Sequence, residues 1–393
     1  MTESKRVLSI DVMRGITLFL MLFVNDLNVA VVPEWLTHRP AGYDGMGLAD
    51  WVFPGFLFMV GMAVPFAVQN RFNKGESTHK IVLHIIIRTI SLLLIGVLML
   101  NSGRLNPDLA GISKNLWAIL MYVSVFMIWN RYPSSLSWRA LVLKAPAVLL
   151  LVYLIFKFRS GTEADPEWLV TGWWGILGLI GWGYLAASLT YLLVRDSLIG
   201  TAMVWGVFLF LNIINQLGYL QTLDPLRPVF GIILEGNVPL LVVSGLFVSL
   251  LLRKLKQMPV RFIVIVTVLG ISLILLGFFL RNWFIISKIK ATPSWGAICS
   301  GISVLVFVLL YIVIDKFNIR RWTDLFVQAG KNSLTTYLFP SLLYYIIWSL
   351  NLPFFFYKNS GSASLAICGS VIWACLMLVI ALKLGSIKIQ LKL

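Results

Sequence analysis

The chain of 393 residues is 59% hydrophobic and only 12% charged, against roughly 25% charged in an ordinary soluble domain. That balance excludes a soluble fold, and no stretch of soluble-domain length separates the apolar runs. The formal net charge of +16 would suggest nucleic acid in a soluble protein, but here the expected surplus of Lys and Arg in cytoplasmic loops accounts for it, and no nucleic-acid partner is expected.

The chain begins TESKRV and enters a span that starts with polar residues. No small-residue cleavage site follows a short apolar run, so a removed signal peptide is not expected. A spanning helix needs about 20 apolar residues. Such runs fall at about 16–32, 48–68, 81–100, 115–130, 140–157 and 170–194. Six more fall at about 198–219, 230–252, 261–281, 294–315, 330–349 and 362–383. The run at 115–130 is short, and leaving it out gives eleven. The expected fold class is therefore all-α, a polytopic integral membrane helix bundle of about 12 helices, forming a single domain over 1–393.

Orientation follows from the basic residues. With the N-terminus inside, 21 Lys and Arg fall on the cytoplasmic side, from Lys5, Arg6 and Arg14 to Lys392, and 10 on the outer side, from Arg39 to Lys358. Arg88 lies within a span. This twofold excess predicts that both termini are cytoplasmic and that the acidic loop with Glu163, Asp165 and Glu167 faces outward. No internal repeat argues for an inverted-repeat transporter. Cys299, Cys368 and Cys375 sit in apolar stretches with neither metal-ligand spacing nor a disulfide framework, so no metal site is expected.

An ionisable group near the bilayer centre costs at least ~2.5–3.5 kcal/mol and calls for a reason. In the first span Asp11, Arg14, Asn25 and Asn28 follow helical spacing and share one face. Asp11 and Arg14, three residues apart, are expected to pair at the inner edge, with Asn25 and Asp26 deeper, near mid-membrane. This face reads either as an interhelical hydrogen-bond stripe or as the lining of a polar cavity. The loop after it, VPEWLTHRPAGYDGMGLADWVFPGFLF, carries His38, one of three histidines in the chain. A lone loop histidine is usually a solvated bystander. The loop ends at Asp50, where a carboxylate caps the next helix and meets the positive end of its dipole.

The third span opens with Lys80, His84 and Arg88, each four residues apart and stacked on one face. Snorkelling explains Lys80 and His84 but not Arg88, where an anion, a phosphate or a carboxylate such as Glu235 is expected. The segment GKNSLTTY places Lys331, Asn332 and Ser333 at the inner edge of the eleventh run. No P-loop, GxGxxG, HExxH or GxSxG is present.

SIDVMRG at 9–15, LFVND at 22–26 and GLADWVFPGFLFMVG at 47–61 resemble the transmembrane acyltransferases typified by heparan-alpha-glucosaminide N-acetyltransferase, in a bacterial branch. The matching residues are Ser9, Asp11, Arg14, Gly15, Asn25, His38, Asp50, Val52, Phe53, Pro54, Phe56 and Phe58. WWGILGLIGW at 173–182 and ISKIKATPSW at 286–295 look like segments of the same family. The family's H-A-x-W-N-G reads here H-R-P-A-G-Y-D-G, and its arginine-bearing segment at the fourth span reads S-K-N-L-W-A-I-L-M-Y.

The resemblance implies acyl transfer from acetyl-CoA to an amino sugar or other glycan acceptor on the non-cytoplasmic side of the cytoplasmic (inner) membrane. It implies His38 and Asn25 as the catalytic pair. Such chemistry needs a base, a donor to the developing oxyanion and a site for the CoA phosphates. His38 suits the first and Asn25 the second, while Lys80, His84, Arg88 and Arg14 are the candidates for the third. Asp11 and Asp50 are structural polar groups in this reading. A homodimer is compatible with it. Two alternatives stand beside it: a secondary transporter with Asp26, Arg88 and Glu235 along a polar path, and a family member or scaffold without catalysis.

Overall fold

A backbone in hydrocarbon has no water to satisfy its N–H and C=O groups, so apolar runs of this length fold as helices. The computed structural model describes residues 7–132 and 137–393. The chain runs through α1 (Leu8–Asp26), α2 (Leu48–Asn73), α3 (Thr78–Ser102), α4 (Pro107–Ala110), α5 (Lys114–Trp129), α6 (Ser137–Lys157), α7 (Gly175–Val194) and α8 (Leu198–Gln216). It continues through α9 (Arg227–Glu235), α10 (Asn237–Lys254), α11 (Pro259–Leu280), α12 (Pro293–Leu310), α13 (Asp324–Lys331), α14 (Ser333–Ser349) and α15 (Ala363–Ser386). Strands β1 (Ser160–Gly161) and β2 (Pro166–Glu167) form a small antiparallel hairpin in a loop. The molecule is an all-α polytopic membrane bundle.

Every one of the twelve expected runs contains a helix. Among the described residues ten helical stretches are long and apolar enough to cross a membrane. The other two, α5 with 16 residues and α14 with 17, are shorter.

Two expectations change. The first helix lies earlier than 16–32, starting at Leu8 and ending at Asp26. Its first N–H groups have no intrahelical partner, and the carboxylate of Asp315 supplies one. Oδ1 accepts from Leu8 N and Oδ2 from Ser9 N, both at 3.1 Å. The polar SIDVMRG segment is thereby drawn into the helix. As a result Asn25 and Asp26 stand at the end of α1 rather than near mid-membrane, and Asn28 lies beyond it. The second change is a break in the eighth run at Gly236, whose φ of +70° is a left-handed turn that glycine adopts freely. It separates α9 from α10.

At the centre α2 packs on α10, with α1, α7 and α12 around the pair. The approach of α2 and α10 is set by reciprocal glycines. A Cβ at Gly61 would lie 1.8 Å from the carbonyl oxygen of Val242, and one at Gly245 would lie 1.9 Å from that of Phe58. The backbones touch directly, as small residues permit between membrane helices.

Contacts between loops fix which ends lie together. Leu8 reaches Asp315 after α12, Arg14 reaches the Gly330 carbonyl of α13 at 3.4 Å, and Leu391 N donates to Thr335 at the start of α14. The start of α1 and the C-terminal tail therefore share one end. At the other end, Arg281 meets Asp44, Asn28 meets the Lys358 carbonyl, and Gln216 meets the Lys290 carbonyl. The loops 27–47, 281–292 and 350–362 gather there. Lys5 and Arg6, counted above on the N-terminal side, lie outside the described residues.

Candidate functional site

The site is built where the α1–α2 loop meets the α11–α12 loop. Asp44 joins them: its Oδ1 accepts from Ile286 N at 2.8 Å and its Oδ2 from Arg281 Nε at 2.8 Å. The Ile286 N–H holds Asp44 below the usual carboxylate range, with the Arg281 guanidinium adding to it against partial burial. Gly45 N donates to the Ile286 carbonyl and Ser287 Oγ to that of Ala41. From below, Asn212 and Asn237 each donate Nδ2 to the Ala291 carbonyl, at 2.9 and 3.0 Å. The loop bearing Lys288 is thus held on three sides.

Asp50 opens α2 and is 1% exposed. A buried carboxylate needs its lone pairs filled, and three donors fill them. Gly47 N and Arg39 N reach Oδ2 at 3.0 and 3.1 Å, and His38 Nδ1 lies 2.8 Å from Oδ1. The carboxylate does cap the helix, as its position suggests, but it also orients a histidine. With Nδ1–H donated to Asp50, the free lone pair is on Nε2. The His38 side chain is 47% exposed, so the ring reaches the surface of the site.

Lys288 Nζ lies 3.1 Å from Nδ1 and 3.4 Å from Nε2 of His38. A point at that range from both ring nitrogens would overlap a ring carbon if it lay in the ring plane. The ammonium therefore sits over the ring face, leaving the Nδ1–Asp50 bond undisturbed. It also approaches the Ala49 carbonyl at 3.4 Å. Burial lowers the Lys288 pKa from the ordinary lysine value, opposed by the charge of Asp50. Pro54 has no N–H, so it cannot donate to the carbonyl four residues back. That carbonyl is Asp50's, and the buried Cys299 thiol meets it at 3.9 Å.

The residues singled out from sequence divide. His38 and Asp50 are brought together. Asn25 is exposed at the end of α1, and no hydrogen bond joins it to His38. Asp11 and Arg14 pair at 3.5 Å, as their spacing predicts. Lys80 and His84 follow one another on α3, and His84 lies within electrostatic reach of Arg71, Arg88, Glu76 and Lys392. Glu235 does not pair with Arg88. The guanidinium lies over the Tyr184 ring of α7, 4.7 Å from its centroid, and its Nε has no hydrogen-bond partner. Sequence reasoning missed Lys288 as a site residue, because 250 residues separate it from His38; the only signal was its place in ISKIKATPSW.

Known proteins carry the same likeness. The family model described as "Domain of unknown function (DUF5009)" matches residues 6–189. The chain is 25% identical over 360 residues to heparan-alpha-glucosaminide N-acetyltransferase of Homo sapiens, covering 85% of this chain and 52% of that protein. It is 27% identical over 177 residues to the Mus musculus protein of the same name, covering 43% of this chain and 24% of that protein. The chain thus spans about half the length of the human protein. The likeness to these proteins agrees with the resemblance first carried by residues 9–61.

Proposed function

We propose that this chain, a relative of the transmembrane acyltransferases typified by heparan-alpha-glucosaminide N-acetyltransferase, transfers an acetyl group from acetyl-CoA to an amine of a glycan or amino sugar. The transfer takes place at the membrane end that carries His38. The observation that carries this reading is the His38–Asp50 pair with Lys288 over the ring, a base, an orienting carboxylate and a cation assembled from two separate loops. Both termini are assigned to the cytoplasm on the distribution of basic residues, which sets His38 on the non-cytoplasmic side of the cytoplasmic membrane.

In the mechanism, the acceptor nitrogen attacks the thioester carbonyl carbon and His38 Nε2 takes its proton. The electron pair of the carbonyl moves to oxygen, where the Lys288 ammonium or the Asn25 amide donates to it. The oxyanion collapses, the carbon–sulfur bond breaks, and the imidazolium returns the proton to the leaving thiolate. Asp50 remains ionised and holds the ring through Nδ1, as the carboxylate does in other carboxylate–histidine pairs.

Incubation of the purified protein with labelled acetyl-CoA and an amino sugar tests the reading. Transfer of label to the amine, lost in His38→Ala, is the expected result. Absence of transfer to any amine, with CoA bound or not, would favour the transporter or the scaffold.

A further inference from the structure

The carboxylate of Asp26 lies outside the mechanism above, yet it is among the most enclosed charges in the chain, with 1% of its surface exposed. Three side chains converge on it. Tyr344 and Lys358 reach Oδ1, Lys358 Nζ at 2.6 Å, and Tyr357 donates to Oδ2 at 2.6 Å. The Lys358 ammonium also stands 4.9 Å from the Tyr344 ring centroid, 4.8 Å from that of Phe355 and 6.0 Å from that of Tyr357. Trp373 closes the box behind Tyr344 and Phe355, at 5.0 and 5.2 Å between centroids.

A buried carboxylate faced by aromatic rings is the chemistry that recognises an organic ammonium. The cation within it is supplied by the connection between α14 and α15 rather than by a spanning helix. It comes from the 350–362 loop, held in place by Asn28 Nδ2 on the Lys358 carbonyl at 2.5 Å. Its side chain remains 27% exposed, while that of Asp26 is 0% exposed. The box therefore opens on the cation side. It also belongs to the same apolar cluster as Leu27, Val32 and Leu36 of the loop that carries His38, and Asp26 directly follows Asn25 in α1.

We propose that the box around Asp26 is a docking site for the primary ammonium of an amino sugar, and that Lys358 is its tethered occupant, displaced when the ligand arrives. The choice of an amino sugar rests on the acyl-transfer reading; the ammonium site itself rests on the geometry. An amine held here as ammonium is not yet a nucleophile, so this position precedes transfer and is distinct from the reacting one at His38 Nε2.

The test compares D-glucosamine with glucose, which has the same ring and no amine, by calorimetry on the detergent-solubilised protein. Lys358→Ala removes the competitor, and glucosamine should then bind about tenfold or more tighter than to the wild type. Glucose should show no such gain. Adding Asp26→Asn to Lys358→Ala should erase the gain. Should Lys358→Ala fail to fold, Lys358→Met keeps the stem packed on the rings without the charge and carries the same comparison. Glucosamine affinity that is indifferent to Lys358, or that survives Asp26→Asn, would overturn the proposal. Asp26-dependent binding in a protein that transfers no acetyl group would leave the ammonium site standing and remove the acyl-transfer reading alone.

Discussion

The Nδ1 of His38 lies 2.8 Å from a carboxylate oxygen of Asp50, twelve residues along the chain, in a pair that joins a half-exposed ring to a fully buried charge. The buried partner dictates the tautomer and the exposed ring presents the base. His38→Ala should leave a folded protein, because the side chain contributes little to core packing, and should lower transfer by about 10²–10⁴. Asp50→Asn should cost activity and stability together. The amide can turn its NH2 toward Nδ1 and select the wrong tautomer, and the N–H groups of Gly47 and Arg39 lose a charged acceptor, at about 1–3 kcal/mol. Labelled-acetyl transfer and thermal unfolding on the two variants separate these effects. An Asp50→Asn protein with normal stability and normal rate would show that the pair is incidental.

Lys288 sets an alkaline limit. Burial lowers its pKa from the ordinary lysine value, so as pH rises its positive charge is lost earlier than that of an exposed lysine. Transfer that uses the ammonium should decline over the same range. Lys288→Arg keeps the charge at every accessible pH, so the decline should move upward or vanish. Lys288→Met should lower the rate by about 10²–10³ if the ammonium serves the oxyanion. A pH–rate profile with the same alkaline limb in wild type and Lys288→Arg would assign that limb to another group.

How far these features could be read in advance depended on the distance over which they act. The helices follow from local hydropathy, and each expected run contains one. The Asp11–Arg14 pair follows from i, i+3 spacing on a single helix. His38 and Asp50 were both visible as residues, but a Pro- and Gly-rich loop has no period from which to infer that they touch. The start of α1 was misplaced because its cap, Asp315, is 307 residues away from Leu8. The partners of Arg88, Asp26 and Lys358 are likewise tertiary. Hydropathy marked these charges as costly without saying what accommodates them.

The assignment of the two ends to the two sides of the membrane is open to direct labelling. Single cysteines at Gly42 and Glu163 should react with an impermeant thiol reagent applied from outside. Cysteines at Lys74 and Lys256 should react only after the membrane is opened. Cys368 and Cys375 are exposed on α15, within an apolar span, and are best replaced first. Equal labelling of both sets would discard the orientation, and a reversed pattern would place His38 in the cytoplasm.

Arg88 supplies a test in which binding and stability should part company. Its guanidinium is ten residues into α3, stacked on Tyr184, and among the described residues it has no carboxylate partner. The stacking contact contributes about 0.5–2 kcal/mol, whereas a cation in an apolar span costs at least ~2.5 kcal/mol without a counter-charge. The ligand-free protein therefore gains little from the charge, and Arg88→Gln should leave its melting temperature unchanged or raise it. A phosphate at this position would make a charge-assisted, desolvated bond, and losing it should weaken acetyl-CoA binding by about 1.5–3 kcal/mol, roughly 10- to 150-fold. Calorimetry with acetyl-CoA and thermal unfolding of the same preparations give both quantities. A collapse in melting temperature with unchanged affinity in the surviving protein would identify Arg88 as a structural element of the α3–α7 contact, and the phosphates would then have to be sought elsewhere among the basic residues of that end.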